Sequence, residues 1–152
     1  MIIIDTNALI LIIIGSIDPR IFKNHKRTSL YDEEDYEYLI KIVGDMKKLV
    51  VLPNIWTEAD NLLNDFRGQY KDMYISILKN VTKEITEQYI KTSDAVDNDT
   101  IYDLGITDTQ ILTIAKNCDF LITADSKLAD YANANGVKVV DLVKRKNELI
   151  NE

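Results

Sequence analysis

Four acids stand at places in this chain where acids need explaining. Asp5 closes the β-branched run Ile2-Ile3-Ile4, and Asp125 follows the apolar run Phe120 to Thr123. In an open parallel sheet, ligands bind at the carboxyl ends of the strands, which puts both acids on the functional edge if those runs are strands. Each can equally cap the helix after it, a frequent task for aspartate. Glu58 and Asp108 lie inside helical patterns. At about 100° per residue, Glu58 projects within roughly 60° of Ile55 and 40° of Leu62, at the border of an apolar stripe. Asp108 precedes Ile111, Leu112 and Ala115 at helical spacing, so it projects from the core-facing side of its helix, in the first turn. Read singly, each of these two acids can sit at the rim of a stripe and reach water or favour a helix dipole.

Read together, they point to metal chemistry. In a parallel α/β sheet the helix starts and strand ends share one edge, so all four acids can converge there. Converging carboxylates repel and raise one another's pKa. No lysine or arginine lies one helical turn from Asp108 on its inward face to neutralise it. A hard divalent cation relieves the repulsion, and an oxygen-only ligand set favours Mg2+ or Mn2+ over zinc. His25 is the single histidine and Cys118 the single cysteine. A multi-histidine zinc site, a thiolate site, an internal disulfide and paired-histidine acid–base chemistry are thereby excluded.

The elements that must position these acids follow from the hydrophobic pattern. Strands are expected at 2–4, 49–52, 120–123 and 137–140. Helices are expected at 8–14 (stopped by Gly15), at 32–48 with acids at its start and Lys47-Lys48 at its end, and from Pro53 to near Gly68. Further helices are expected at about 71–83, from Thr107 with a Thr107-x-x-Gln110 capping box, at 126–135 before Gly136, and at 142–150. Residues 16–30 and 93–100 read as loops, and 84–92 fits neither pattern. Strands alternating with helices imply an α/β fold, a three-layer α/β/α sandwich with a mainly parallel central sheet.

The 152 residues fit one domain with a substantial core, and neither repeats nor low-complexity tracts divide it. The net charge of −7 argues against coating nucleic acid by bulk positive charge, although local contacts remain open. The apolar start, Met1 to Ile14, lacks a basic leading region, is interrupted by Asp5 and Asn7, and is too short to span a membrane. With no disulfide to form, a cytoplasmic location is expected.

The acidic segments, taken in order, resemble those of the PIN-domain ribonucleases, including the toxin nucleases of bacterial and archaeal toxin–antitoxin pairs. The matching pieces are Ile3-Ile4-Asp5-Thr6-Asn7-Ala8-Leu9, then Leu52-Pro53 through Glu58 to Leu62-Leu63, then Gly105-Ile106-Thr107-Asp108-Thr109-Gln110-Ile111-Leu112, then Leu121 to Leu128 around Asp125, and Gly136 to Val140. Residues 16–35 and 93–103 form longer segments than the compact toxin nucleases carry. The resemblance implies Mg2+- or Mn2+-dependent hydrolysis of phosphodiester bonds by water, usually in RNA, with single-stranded DNA as the alternative substrate. The products would carry a 5′ phosphate and a 3′ hydroxyl. It places Asp5, Glu58, Asp108 and Asp125 on the family's acidic positions, with Asn7, Thr123 and Ser126 in supporting positions. An antitoxin protein and a homodimer are the partners it suggests.

Substrate grip is expected from local basic residues. Arg20, Lys23, Lys26 and Arg27, with His25 among them, form one cluster, and Lys144, Arg145 and Lys146 another; both can also be solvated surface. Asp60 and Asp103 are rival ligands, Asp60 being expected to face away from Glu58. Two other functions compete with the nuclease reading: a non-catalytic PIN-like module that binds RNA or protein, and a phosphatase with Asp5 as nucleophile. The latter chemistry usually wants an acid where this chain has Asn7.

Overall fold

Three consecutive isoleucines form the central strand, β1 (Ile2–Ile4), buried on both faces as an all-apolar run requires. The computed structural model describes residues 1–152. β1 is flanked by β2 (Leu49–Val51) and β4 (Phe120–Thr123), with β3 (Thr86–Glu87) and β5 (Val139–Asp141) at the edges. The order is β3-β2-β1-β4-β5 and every pairing is parallel. The chain therefore winds outward from β1 to one edge and returns beside β1 to build the other half. The direction reverses between β1 and β4, and the crevice at such a switch point is where doubly wound sheets bind ligands.

Helices cover both faces, giving the expected three-layer α/β/α sandwich. α1 (Thr6–Ile17) has no polar face: Ala8 through Gly15 are all buried, as a helix apolar all round must be. It packs against α2 (Glu33–Val43), α3 (Pro53–Leu63) and α4 (Gly68–Glu84). α5 (Thr92–Val96), α6 (Ile101–Leu104), α7 (Ile106–Ala115) and α8 (Ser126–Ala134) follow, with α7 touching the other three, and α9 (Leu142–Ile150) closes the chain. No helix is long and apolar enough to cross a membrane.

Several expected boundaries are corrected. Gly15 does not stop α1. It lies inside the helix because a Cβ there would stand 2.2 Å from Cδ2 of Tyr36, so its lack of a side chain serves a close helix–helix approach. Residues 16–30 are not a plain loop: α1 runs on to Ile17, a 3-10 segment covers Pro19–Asn24, and the Thr28 hydroxyl donates to the Phe22 carbonyl at 2.7 Å over a buried Phe22 ring. α2 ends at Gly44, leaving Lys47 and Lys48 in a short 3-10 turn, and Gly68 opens α4 instead of ending α3. The two-residue β3 is too short to show a period, and the acidic segment 93–100 contains α5 and the approach to α6.

The basic tail has a structural task. Lys146 reaches Asp35 at 2.8 Å and Asp32 at 2.9 Å, while Arg145 pairs with Asp35 at 3.0 Å and lies over the Tyr38 ring. Asp35 is only 7% exposed, so its charge needs these partners. The pairs fasten α9 to the start of α2, and only Lys144 of that cluster makes no side-chain pair of this kind.

Candidate functional site

Asp5, Glu58, Asp108 and Asp125 all line one hollow of about 400 Å3 at the carboxyl edge of the sheet, over the β1–β4 switch point. Asp5 is 4% exposed and N-caps α1, taking the Ala8 amide at 2.8 Å. Its second oxygen accepts from the Ala124 amide at 3.0 Å and from the Thr123 hydroxyl. Asp125 N-caps α8 through the amides of Lys127 and Leu128. The capping role and the place in the hollow thus coexist: a cap directly after a parallel strand sits on the ligand edge.

Thr123 joins the two aspartates. Its hydroxyl donates to Asp5 and accepts the Asp125 amide at 2.9 Å, so the ends of β1 and β4 are held in register by one side chain. Glu58, on α3, is exposed and accepts the hydroxyls of Thr6 and Thr107, each at 2.8 Å. Thr107 is reached in turn by the Asn54 amide at 2.9 Å, which also contacts Gln110; the Gln110 amide donates to the Ile90 carbonyl. The Thr107–Gln110 pair is therefore not the expected capping box. α7 begins at Ile106, after Gly105, without a side-chain cap, and both side chains tie α7 to α3.

Asp108 differs from its three neighbours. It is partly buried, and no hydrogen-bond donor stabilises its charged form. Burial first, then the charges of Asp125, Asp5 and Glu58, push its pKa up to about 7. Asp5 is raised to about 6, mainly by burial, with the hydrogen bonds from Thr123, Ala8 and Ala124 opposing and the Asp125 charge adding. None of the four acids has a salt-bridge partner; the ion pairs of the chain lie elsewhere. The acids stand around the hollow without closing on a common point: no three acidic, histidine or cysteine side chains are grouped tightly enough to hold an ion in this arrangement. Uncompensated like charges favour such separation.

Of the supporting residues, Asn7 lines the hollow and Thr123 lies beneath it. Ser126 is not among the residues that line the hollow. It is exposed on α8 and borders a separate hollow with Asp130 and Asp141. Of the basic residues expected to grip substrate, Arg27 alone lines the hollow. Arg20 is folded back on Asp18 through two nitrogens, and Lys23 and Lys26 are exposed outside the hollow. The rival acids are engaged elsewhere: Asp60 accepts the Tyr74 hydroxyl at 2.6 Å and Asp103 accepts that of Tyr131.

Thr6, Asn61 and Thr107 belong to the site and were not expected there. Asn61 lies one helical turn after Glu58, on the same side of α3. Thr107 carried a signal that was assigned to capping. Scanned against protein-family models, curated proteins and solved structures, the chain finds no match.

Proposed function

We propose that this chain is a metal-dependent nuclease of the PIN-domain type, an endoribonuclease using Mg2+ or Mn2+. The observation that carries this reading is Asp108, a partly buried carboxyl facing three other acids and making no salt bridge or hydrogen bond. An arrangement that leaves four acids uncompensated is costly for folding alone and is suited to a hard divalent ion. Oxygen donors from four separate elements fit such an ion, and Asp5, Asp108, Asp125 and Glu58 would hold it.

When bound, the ion supplies positive charge that acidifies water and offsets charge building on the phosphate oxygens. The chain's own residues do the positioning. Thr123 and two backbone amides fix Asp5, and the Asp125 carboxylate is locked by two amides of α8. Thr6 and Thr107 hold both oxygens of Glu58. With its pKa pushed up to about 7, Asp108 is about half protonated at neutral pH, and a bound cation would favour its charged form. Arg27 offers the hollow its one cationic side chain, suited to a phosphate of the substrate. Water adds to phosphorus, the bond to the 3′ oxygen breaks, and that oxygen leaves with a proton, giving a 5′ phosphate and a 3′ hydroxyl.

Asp5 is a poor candidate for a covalent nucleophile, since both its oxygens accept hydrogen bonds and the residue is buried. A role as toxin, with an antitoxin partner that covers the hollow, belongs to the same proposal, as does cytoplasmic action. The test is incubation of a mixed RNA pool with the protein in Mn2+, Mg2+ or EDTA, beside Asp5→Asn. Cleavage is expected with either metal and absent in EDTA and in the variant. Metal binding without any cleavage would favour a binding module instead.

A further inference from the structure

We propose that a second hollow, beside the acidic one, holds a nucleobase of the single-stranded nucleic acid whose phosphodiester lies at the acids; this rests on the nuclease reading above. The hollow measures about 330 Å3 and opens between the 3-10 segment after α1 and the turn joining α3 to α4. Ile14, Ile21 and Phe66 form apolar walls, and Tyr70 stands at the rim, 43% exposed. The Phe66 and Tyr70 rings lie 6.5 Å apart at 50°, so Phe66 props Tyr70 while leaving part of its ring uncovered. An uncovered aromatic ring over an apolar recess is the surface on which a base stacks.

The two hollows share a wall. His25 borders the second hollow, and Arg27 and Leu62 border the first. The Arg27 amide donates to Nδ1 of His25 at 3.1 Å, which leaves Nε2 to donate to the Leu62 carbonyl, also at 3.1 Å. One imidazole thus pins the Arg27 backbone against the end of α3, exactly at the divide between the two spaces. A strand leaving the acids passes Arg27 and enters the second hollow within a short span.

Charge favours the same occupant. Arg67 lines the second hollow and has no salt-bridge partner. Arg27 and Arg67 therefore edge a path across a chain whose net charge is −7. Asn24 and Asp65, at the same hollow, offer polar groups for a base edge. An apolar recess with an exposed ring, flanked by cations and continuous with a phosphate-hydrolysing site, matches a single strand with unstacked bases.

The test is fluorescence anisotropy with a labelled single-stranded RNA of about twelve nucleotides, a length suited to such grooves. The full chain is used, with Ca2+ present, and the same proteins are assayed for cleavage with Mn2+. Tyr70→Ala should weaken binding about tenfold, Tyr70→Phe should stay within about twofold of wild type, and Arg67→Gln should lower the salt slope by about one. Circular dichroism checks folding, and Arg67→Gln carries the test if Tyr70→Ala does not fold. Unchanged affinity and salt slope in these variants, or no binding by the wild type, would overturn the proposal. Wild-type cleavage with an unchanged KM in Tyr70→Ala overturns the second hollow and leaves the nuclease reading. Binding that depends on Tyr70 without cleavage in Mn2+ does the reverse.

Discussion

The hydroxyl of Thr123 donates to the carboxylate of Asp5, 118 residues away in the chain, and through its acceptor side holds the amide of Asp125. Two neighbouring parallel strands thus end in one small network that fixes two acids. Thr123→Val keeps the side chain's volume and removes both bonds. It should cost roughly 1–3 kcal/mol of stability, because Asp5 is buried and loses a donor. Mn2+ affinity should fall about tenfold or more, since the ligand loses its orienting partner. Chemical denaturation and calorimetry read the two effects separately.

Asp108 makes stability depend on pH in a direction opposite to that of a salt-bridged carboxylate. Its folded pKa of about 7 lies above the ordinary 3.8, so the folded state holds the proton more tightly than the unfolded one. The resulting stability is fully present below about pH 4 and is lost as pH rises through about 7; Asp5 adds a similar loss through about 6. Without metal, Asp108→Asn should therefore be more stable than the wild type at pH 7.5, by on the order of 1 kcal/mol after solvent screening. The difference should shrink toward pH 4.5. Thermal melts of both proteins in EDTA across this range check it, and cleavage by the variant should fall at least a hundredfold.

Gly15 and Tyr36 form a contact in which neither side can grow. Gly15→Ala would normally strengthen a helix interior by about 1 kcal/mol. Here the added methyl enters the Tyr36 ring, and the net effect should be a loss of about 1–3 kcal/mol. Gly15→Ala combined with Tyr36→Ala should lose less than the sum of the two single variants, which urea denaturation of the full cycle measures.

The two basic clusters should separate in their effects. Lys146→Met leaves Asp35 with Arg145 alone and should lower stability by about 2 kcal/mol, without altering the salt dependence of RNA binding. Arg27→Gln should leave stability within about 0.5 kcal/mol and lower the salt slope by about one. Melting temperatures and binding at several salt concentrations distinguish them.

Much of this organisation is legible in the sequence, and its limits have physical causes. The strands that Asp5 and Asp125 follow are largely apolar runs, and the places of Glu58 at the border of an apolar stripe and of Asp108 on the core-facing side follow from helical spacing. β3 escapes notice because two exposed residues show no alternation, and its place is set by pairing with β2. Gly15 reads as a helix stop because the Tyr36 ring that requires it comes from another helix. Thr107 and Gln110 have the spacing of a cap, yet the partners that engage them, Asn54, Glu58 and Ile90, are distant in the chain. The same holds for Lys146 and Asp35. Local patterns identify candidates for such groups, and tertiary packing decides between them.

The central proposal, that these four acids take up a divalent ion, is tested most directly by Mn2+ titration calorimetry in buffers of different ionisation heat. The wild type should bind Mn2+ with release of more than one proton per ion at about pH 6, falling toward none by about pH 9, as Asp108 and the half-protonated Asp5 give up their protons. Asp108→Asn should bind at least tenfold more weakly and release less. Binding of equal strength in both proteins, or no binding by the wild type, would contradict the account.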